Sequence, residues 1–300
     1  MRWIKKGNLV PAEAVAGWAA SHAALPFAAP SGSGYRVYFS PRDAHGRAQI
    51  GRFELEWGDP PRVGAAAAGP LLPLGELGAF DDAGVTMSCL VDHQGRQYLY
   101  YSGWSRGVSV PFYFYVGLAV SDDGGRSFER WSRGPILERD AVDPYLTASP
   151  WILVENGTWR MWYVSGTGWE RVEGAPRHRY HVKYAESKDG LRWRRQGVVC
   201  IDFAGPGEYA IARPCVLKDG SRYRMWFCHR GDRYRIGYAE SKDGIRWERD
   251  DPRGGMDASE SGWDSEMVAY PFVFRRDRLY MLYNGNGYGR TGIGLACAEE

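Results

Sequence analysis

An all-β fold, a five-bladed β-propeller with four-stranded antiparallel blades, is what this 300-residue sequence predicts. Three observations predict it. Five stretches repeat one plan of a short apolar strand, a polar Gly/Asp turn and an alternating aromatic strand. The segment SKDGLRW at 187–193 returns as SKDGIRW at 241–247. The N-terminal MRWIKKG resembles what those turns lead into, LRWRRQG and IRWERDD.

The units read SHAALPFAAPSGSGYRVYFSPRD, FDDAGVTMSCLVDHQGRQYLYYSGW, VDPYLTASPWILVENGTWRMWYVSG, GEYAIARPCVLKDGSRYRMWFCHRG and WDSEMVAYPFVFRRDRLYMLYNGNG. Their first strands align on Pro26, Ser88, Pro150, Pro214 and Pro271. Each pair of strands around a Gly/Asp turn has hairpin chemistry. A third strand follows in each: QIGRFELEW, YVGLAVS, HVKYAES, RIGYAES and TGIGLACAE. In the middle three units the turn SDDGGRSF, SKDGLRW or SKDGIRW leads into a fourth. In that turn Ser and Asp hydrogen-bond backbone, Gly takes positive φ and the aromatic residue packs between sheets. The turn is therefore a structural device at the blade periphery. The last unit stops at GLACAEE, so the N-terminal strand is expected to complete it, closing the ring and removing an exposed edge. Residues 1–300 then form one domain. Trp162, Trp226 and Trp247 alternate along strands and belong to packing between blades.

The balance of 38 basic and 36 acidic residues, without a basic block, argues against nucleic-acid or anionic-membrane partners. No run of about 18 apolar residues exists to span a bilayer. The N-terminal stretch superficially resembles a signal peptide, but His22 interrupts its apolar run and the repeat claims it as folded structure. The five cysteines, an odd number without metal spacing, read as buried free thiols in a reducing compartment. A cytoplasmic location follows. Oligomeric state is left open.

Propellers bind ligands where the innermost strands begin. The residues leading into those strands are His22, then Asp81 with Asp82, Asp143, Glu208 with Arg213, and Asp264 with Glu266. Acidic groups recur in four of five units, and five-fold geometry is expected to bring them to one axial pocket. Carboxylates gathered with Arg and His suit glycosyl chemistry, in which one acid protonates the leaving oxygen and others attack, activate water or stabilise positive charge. Asp264 and Glu266, two apart on an extended lead-in, are expected to share a face. Arg42, Arg213 and Arg230 are candidates to clamp a carboxylate or phosphate on the substrate. Trp104, Trp169 and Tyr288 are candidate sugar-stacking platforms. No cofactor is expected, and an axial metal ion is left open.

Over essentially its whole length the chain resembles the five-bladed propeller glycosidases of glycoside hydrolase families 32, 43 and 68. FDDAGVTMSCLVDHQGRQYLYYSG resembles the second-blade strand pair of that superfamily. VDPYLTASPWILVENGTWRMWY resembles the Arg-Asp-Pro motif of fructosidases, with Val142 in place of Arg and Asp143-Pro144 retained. EYAIARPCVL resembles the Glu-Cys-Pro motif. The resemblance implies a general acid at Glu208 and a transition-state stabiliser at Asp143, with Asp81, Asp82 or Asp264 as base. The first-blade catalytic Asp motif has no counterpart near SHAALPFA, where His22 is the polar residue. The expected function is glycoside processing, with a non-catalytic carbohydrate-binding propeller or a glycoside phosphorylase as alternatives.

Overall fold

The computed structural model describes residues 1–15 and 18–299. Strand β1 (Arg2–Val10) and a 3-10 turn at Ala12–Val15 precede the first four-stranded sheet, β2 (Ser21–Ser31), β3 (Gly34–Arg42), β4 (Gly51–Glu56) and β5 (Arg62–Ala66). The second is β6 (Gly84–His93), β7 (Arg96–Arg106), β8 (Phe112–Ser121) and β9 (Glu129–Arg130). Next come β10 (Thr147–Glu155), β11 (Thr158–Val172), β12 (Ala175–Ser187) and β13 (Arg194–Ile201). They are followed by β14 (Ala210–Asp219), β15 (Arg222–Arg230), β16 (Tyr234–Ser241), β17 (Glu248–Arg249) and a helical turn, α1 (Asp251–Gly254). These eight strands count as one sheet only through a single parallel bridge, Tyr180 to Ala210. The last unit holds β18 (Ala269–Arg275), β19 (Leu279–Asn284), a turn α2 (Asn286–Gly289) and β20 (Ile293–Glu299).

Within every unit successive strands pair antiparallel. In the last, β1 supplies the fourth strand: Trp3 pairs with Ala298 and Lys5 with Ala296. The sequence expectation for the N-terminal segment therefore holds at the level of strand pairing. Trp3 explains the preference for this edge. Its ring is buried and edge-packed on Trp226 at 6.1 Å, and its Nε1 donates to Gly254 O at 2.9 Å. The fourth strand of the first unit, β5, carries no turn motif of its own and escaped the repeat.

The repeated turns stitch neighbouring units. Ser187 Oγ accepts from the Gly190 N–H at 2.9 Å, and Asp189 accepts from Leu191 and Arg192. Gly190, at φ +73°, turns its carbonyl to Tyr100 Oη of the preceding unit at 2.8 Å. Gly244 at φ +73° does the same for Trp162 Nε1, also at 2.8 Å. A Cβ at Gly190 would meet Tyr100 Oη at 2.7 Å, so glycine is required both by the backbone and by the approach of the partner.

The first strands pack beside one another in the order β2, β6, β10, β14, β18, and β18 lies against β2. Each has a register break, at Ala24/Phe27, Met87/Cys89, Ala148/Trp151, Ala212/Cys215 and Ala269/Phe272. Just after the break, Phe27, Cys89, Trp151, Cys215 and Phe272 fill the centre. Phe27 stands 4.6 Å from Phe272 and 5.8 Å from Trp151, ring to ring. Cys89 and Cys215 take the narrower places, their sulfurs meeting Ile152 N at 3.4 Å and Val273 N at 3.2 Å. All five cysteines are buried and free, and burial pushes the Cys89 and Cys215 thiols up to about 12. Among the described residues no helix is long and apolar enough to cross a membrane.

Trp3→Ala should lower the unfolding free energy by about 3 kcal/mol, the usual loss for a buried tryptophan. The half-exposed Trp131, changed in the same way, should cost under about 0.5 kcal/mol. Urea unfolding of both variants checks this, and equal losses would contradict the role given to β1.

Candidate functional site

A pocket of about 270 Å³ opens where the five first strands begin, and every unit contributes to its wall. A larger depression of about 760 Å³ lies between Trp57 and Arg278, but it draws only on the first and last units. The register breaks build the central pocket. Leu25, Ser149, Arg213 and Tyr270 each precede a proline and hold positive φ, between +46° and +57°. A non-glycine residue there costs of the order of 1–3 kcal/mol, so four such positions together need support from their surroundings. Leu25, Ser149 and Tyr270 line the pocket. Ala24, Ala148 and Ala212, each just before its break, line it as well.

The wall is aromatic: Trp104, Phe112, Phe114, Tyr180, Tyr270 and Tyr288. Trp104 lies flat on its own hairpin because position 84 is glycine, where a Cβ would fall 1.8 Å from Trp104 Nε1. Tyr180 stacks on His178 at 4.6 Å and shares a 2.7 Å hydrogen bond with Tyr234. Hydroxyls of Ser40, Thr86, Ser102 and Ser149 supply polar atoms, and Arg42 is the one charged residue lining the pocket among those described.

Among the described residues no carboxylate lines it. The expected convergence of Asp81, Asp143, Glu208 and Asp264 is corrected by the structure, which buries each inside its own unit. Asp81 accepts from Tyr101 Oη and Arg130 Nε, both at 2.9 Å. Asp143 accepts from Tyr163 at 2.9 Å, Ser165 at 2.6 Å, Lys183 at 3.1 Å and Arg195 at 2.9 Å. Asp264 accepts from Tyr283 at 3.1 Å and pairs with Lys5 at 2.8 Å. Glu208 takes both arms of Arg249 at 2.8 Å, with His229 Nδ1 at 2.6 Å and Ala204 N–H at 2.7 Å.

The pattern is one brace used four times. A carboxylate before the first strand meets a donor on the second and a cation on the fourth. The cations sit two residues after an aromatic: Phe128 to Arg130, Trp193 to Arg195, Trp247 to Arg249, Trp3 to Lys5. That F/W-x-R/K spacing was the signal in the sequence. Where Tyr is replaced by Phe227, the carboxylate is the longer Glu208, which reaches His229 instead. Burial works against ionisation of Asp143 and Glu208. At Asp143 the donors from Ser165, Lys183 and Tyr163 outweigh it and lower the pKa. At Glu208, Arg249, His229 and the Ala204 N–H bring the pKa down to about 2, far from a general acid.

The other predicted residues divide. Trp104, Arg42 and Tyr288 line the pocket. Trp169 packs on Phe112 at 5.2 Å behind the wall. Asp82 accepts from the Gly78 N–H at 3.0 Å, away from the pocket. Glu266 is exposed while Asp264 is buried, so the two do not share a face. His22 is half-buried beside Ser21 at 2.9 Å; burial, then the charges of Arg42 and Arg290, lower it to about 4. It is neutral at pH 7. Arg230 donates to Tyr288 Oη at 2.5 Å and lies over the rings of Tyr209, Tyr234 and Tyr288. Arg213 crosses the centre to Met87 O at 2.7 Å and Pro26 O at 3.3 Å. Burial lowers it to about 10, which leaves it protonated at pH 7. Among the described residues no cluster of three or more His, Cys, Asp or Glu is disposed to hold a metal ion.

No protein-family model matches the chain. Two uncharacterized proteins of Mycobacterium tuberculosis, MT1551 from strain CDC 1551 / Oshkosh and Rv1502 from strain ATCC 25618 / H37Rv, are 42% and 41% identical to it over 302 aligned residues, covering each chain fully. Among solved structures, a BT0996 RGII complex superposes with a TM-score of 0.75 at 19% identity, over 99% of this chain and 92% of that one. A thermostable family-43 glycoside hydrolase gives 0.67 at 14% identity, over 92% and 88%. A Bombyx mori GH32 β-fructofuranosidase in complex with sucrose gives 0.61 at 14%, over 96% and 61%. The fold is similar to that of these glycoside hydrolases.

Because the folded pKa of Glu208 is depressed, its stabilisation is complete above about pH 4.5 and is lost as pH falls toward 2. Glu208→Gln should cost about 2–3 kcal/mol at pH 7 and much less at pH 3. Urea unfolding across that range checks it, and a penalty independent of pH would contradict the brace.

Proposed function

We propose a carbohydrate-recognising propeller for this chain, which belongs to the family of the two mycobacterial proteins. The five four-stranded units are its blades, with first strands around one axis and β1 closing the ring on β20. The neighbour order of the first strands and the pairing of β1 support that closure. Residues 1–300 are then a single domain. The free, buried cysteines support action in a reducing, cytoplasmic compartment.

The observation that carries the function is the wall of the central pocket: six aromatic rings and four hydroxyl side chains, with no lining carboxylate among the described residues. Aromatic faces bury the C–H faces of a pyranose or furanose, and the hydroxyls exchange hydrogen bonds with its own. A pocket of about 270 Å³ suits one or two sugar rings. Rigid walls on strands favour recognition, since little side-chain entropy is lost on binding.

Glycoside processing is the second reading, favoured by the likeness of fold to glycoside hydrolases. It needs an acid and a base at the anomeric centre. Asp143 and Glu208 are committed to their braces, so in this reading the acid–base group lies outside them, at neutral His22, which feels the charge of the pocket-lining Arg42. Release of a reducing end from a glycoside panel, abolished in His22→Ala, distinguishes it from pure binding. Dependence of that turnover on phosphate marks the phosphorylase form.

For the leading reading, calorimetric titration with a panel of mono- and disaccharides should show saturable binding, weakened about tenfold in Trp104→Ala, or about 1.4 kcal/mol. Binding untouched by that change would place the sugar elsewhere.

A further inference from the structure

The four braces establish a rule for this molecule: each buried lead-in carboxylate has a cation beside it. The centre breaks the rule with the opposite charge. Arg213 is 2% exposed and forms no ion pair among the described residues. Two backbone carbonyls, Met87 O and Pro26 O, accept from its terminal nitrogens, and its buried Nε has no hydrogen-bond partner. A buried guanidinium without a counter-ion is strongly disfavoured unless another favourable interaction retains it.

The unpaired charge is not alone. Ala212, the residue before Arg213, lines the pocket, and so does Arg42 of the first unit. Arg42 forms no ion pair among the described residues, and neither does Arg230, whose buried Nε is likewise without a hydrogen-bond partner. Glu170, on the strand beyond Val164, is held by Arg177 at 2.6 Å and Arg179 at 3.4 Å and leaves these arginines uncompensated. The aromatic wall keeps dielectric screening low, which strengthens the field that Arg42 in the wall and Arg213 and Arg230 behind it place on the pocket.

We infer that the central pocket takes a sugar bearing an anionic group, a carboxylate or a phosphate, with Arg42 in contact with the anion and Arg213 and Arg230 supplying the surrounding positive field. The inference rests on the carbohydrate-recognition reading and names the chemical class of its ligand. Arg42 reaches the anion as a planar fork suited to either oxyanion. The aromatic wall receives the ring, so charge and stacking act on different parts of one molecule.

Calorimetry on the full chain decides it, with glucose and galactose set against glucuronate, galacturonate and glucose 6-phosphate, and with inorganic phosphate as a sugar-free anion. At least one acidic sugar should bind about tenfold or more tighter than its neutral counterpart. That preference should shrink several-fold in Arg42→Gln and at raised ionic strength. The uronates and the phosphate ester separate the two sources of charge. Neutral sugars binding as tightly as acidic ones overturn the anionic class while leaving carbohydrate recognition standing. Inorganic phosphate binding as tightly as glucose 6-phosphate overturns the sugar and leaves only an anion site. A preference that survives intact in Arg42→Gln, or no binding by any probe, overturns the inference.

Discussion

The buried ion pair that joins the start of each later unit to its outermost strand is the constraint on which the rest of the structure depends. A lead-in segment must leave one sheet and enter the next at a fixed height. In four units that height is set by a carboxylate held between a second-strand donor and a fourth-strand cation. Hydrogen bonds alone would hold the segment to its neighbour. Only the reach to the fourth strand ties it across the whole width of a sheet. Removing one partner would strand the other in a low-dielectric interior, the expensive half of a buried pair. This accounts for the use of β1, too: Lys5 gives Asp264 the cation that the C-terminal strand cannot supply.

With the lead-ins anchored, the first strands can afford irregularity at the centre. Each breaks register before its central residue, β2 also once earlier, and that break separates two layers with different chemistry. Beneath it, three rings and two thiols pack the centre, and Arg213 crosses it to Met87 O and Pro26 O. Above it, short side chains such as Ala24, Ala148 and Ala212 leave room that larger residues on the second and third strands then line. The positive-φ residues before the prolines are strained, and the strain is tolerable because hydrogen bonds lock their backbones. Leu25 N–H donates to Asn284 Oδ1 at 2.8 Å, and Ser149 N–H to Ser102 Oγ at the same distance.

How much of this could be read from the chain depended on distance along it. The hairpins, the Ser-x-Asp-Gly turns and the pairing of the first strand were legible because each rests on a local pattern or on likeness between repeats. The acidic lead-ins were also visible as a repeat. Their meaning was not, since a partner such as Arg130 lies 49 residues from Asp81 and nothing local marks them as a pair. Recurrence in four units argued for a shared structural duty as strongly as for a shared pocket. The cation two residues beyond Phe128, Trp193, Trp247 and Trp3 would have decided between them. The pocket wall was half legible. Trp104 and Tyr288 stood out at strand ends, whereas Phe112, Phe114 and Tyr180 belong to alternating strands that read as ordinary packing.

The electrostatic character of the centre follows from the braces themselves. Four acidic groups that could have made the pocket negative are instead consumed within the sheets, each against its own cation. What the centre retains is Arg42, Arg213 and Arg230, none of them in an ion pair among the described residues. A chain with nearly equal numbers of acids and bases thus becomes locally positive by where it pairs them, without any basic run in its sequence. The fourth unit shows how firmly that division is kept. Losing the tyrosine at Phe227 did not release its carboxylate toward the pocket; Glu208 extends by one methylene and remains with Arg249 and His229. The carboxylates are held where they stabilise sheets, and the pocket is left to rings, hydroxyls and positive charge.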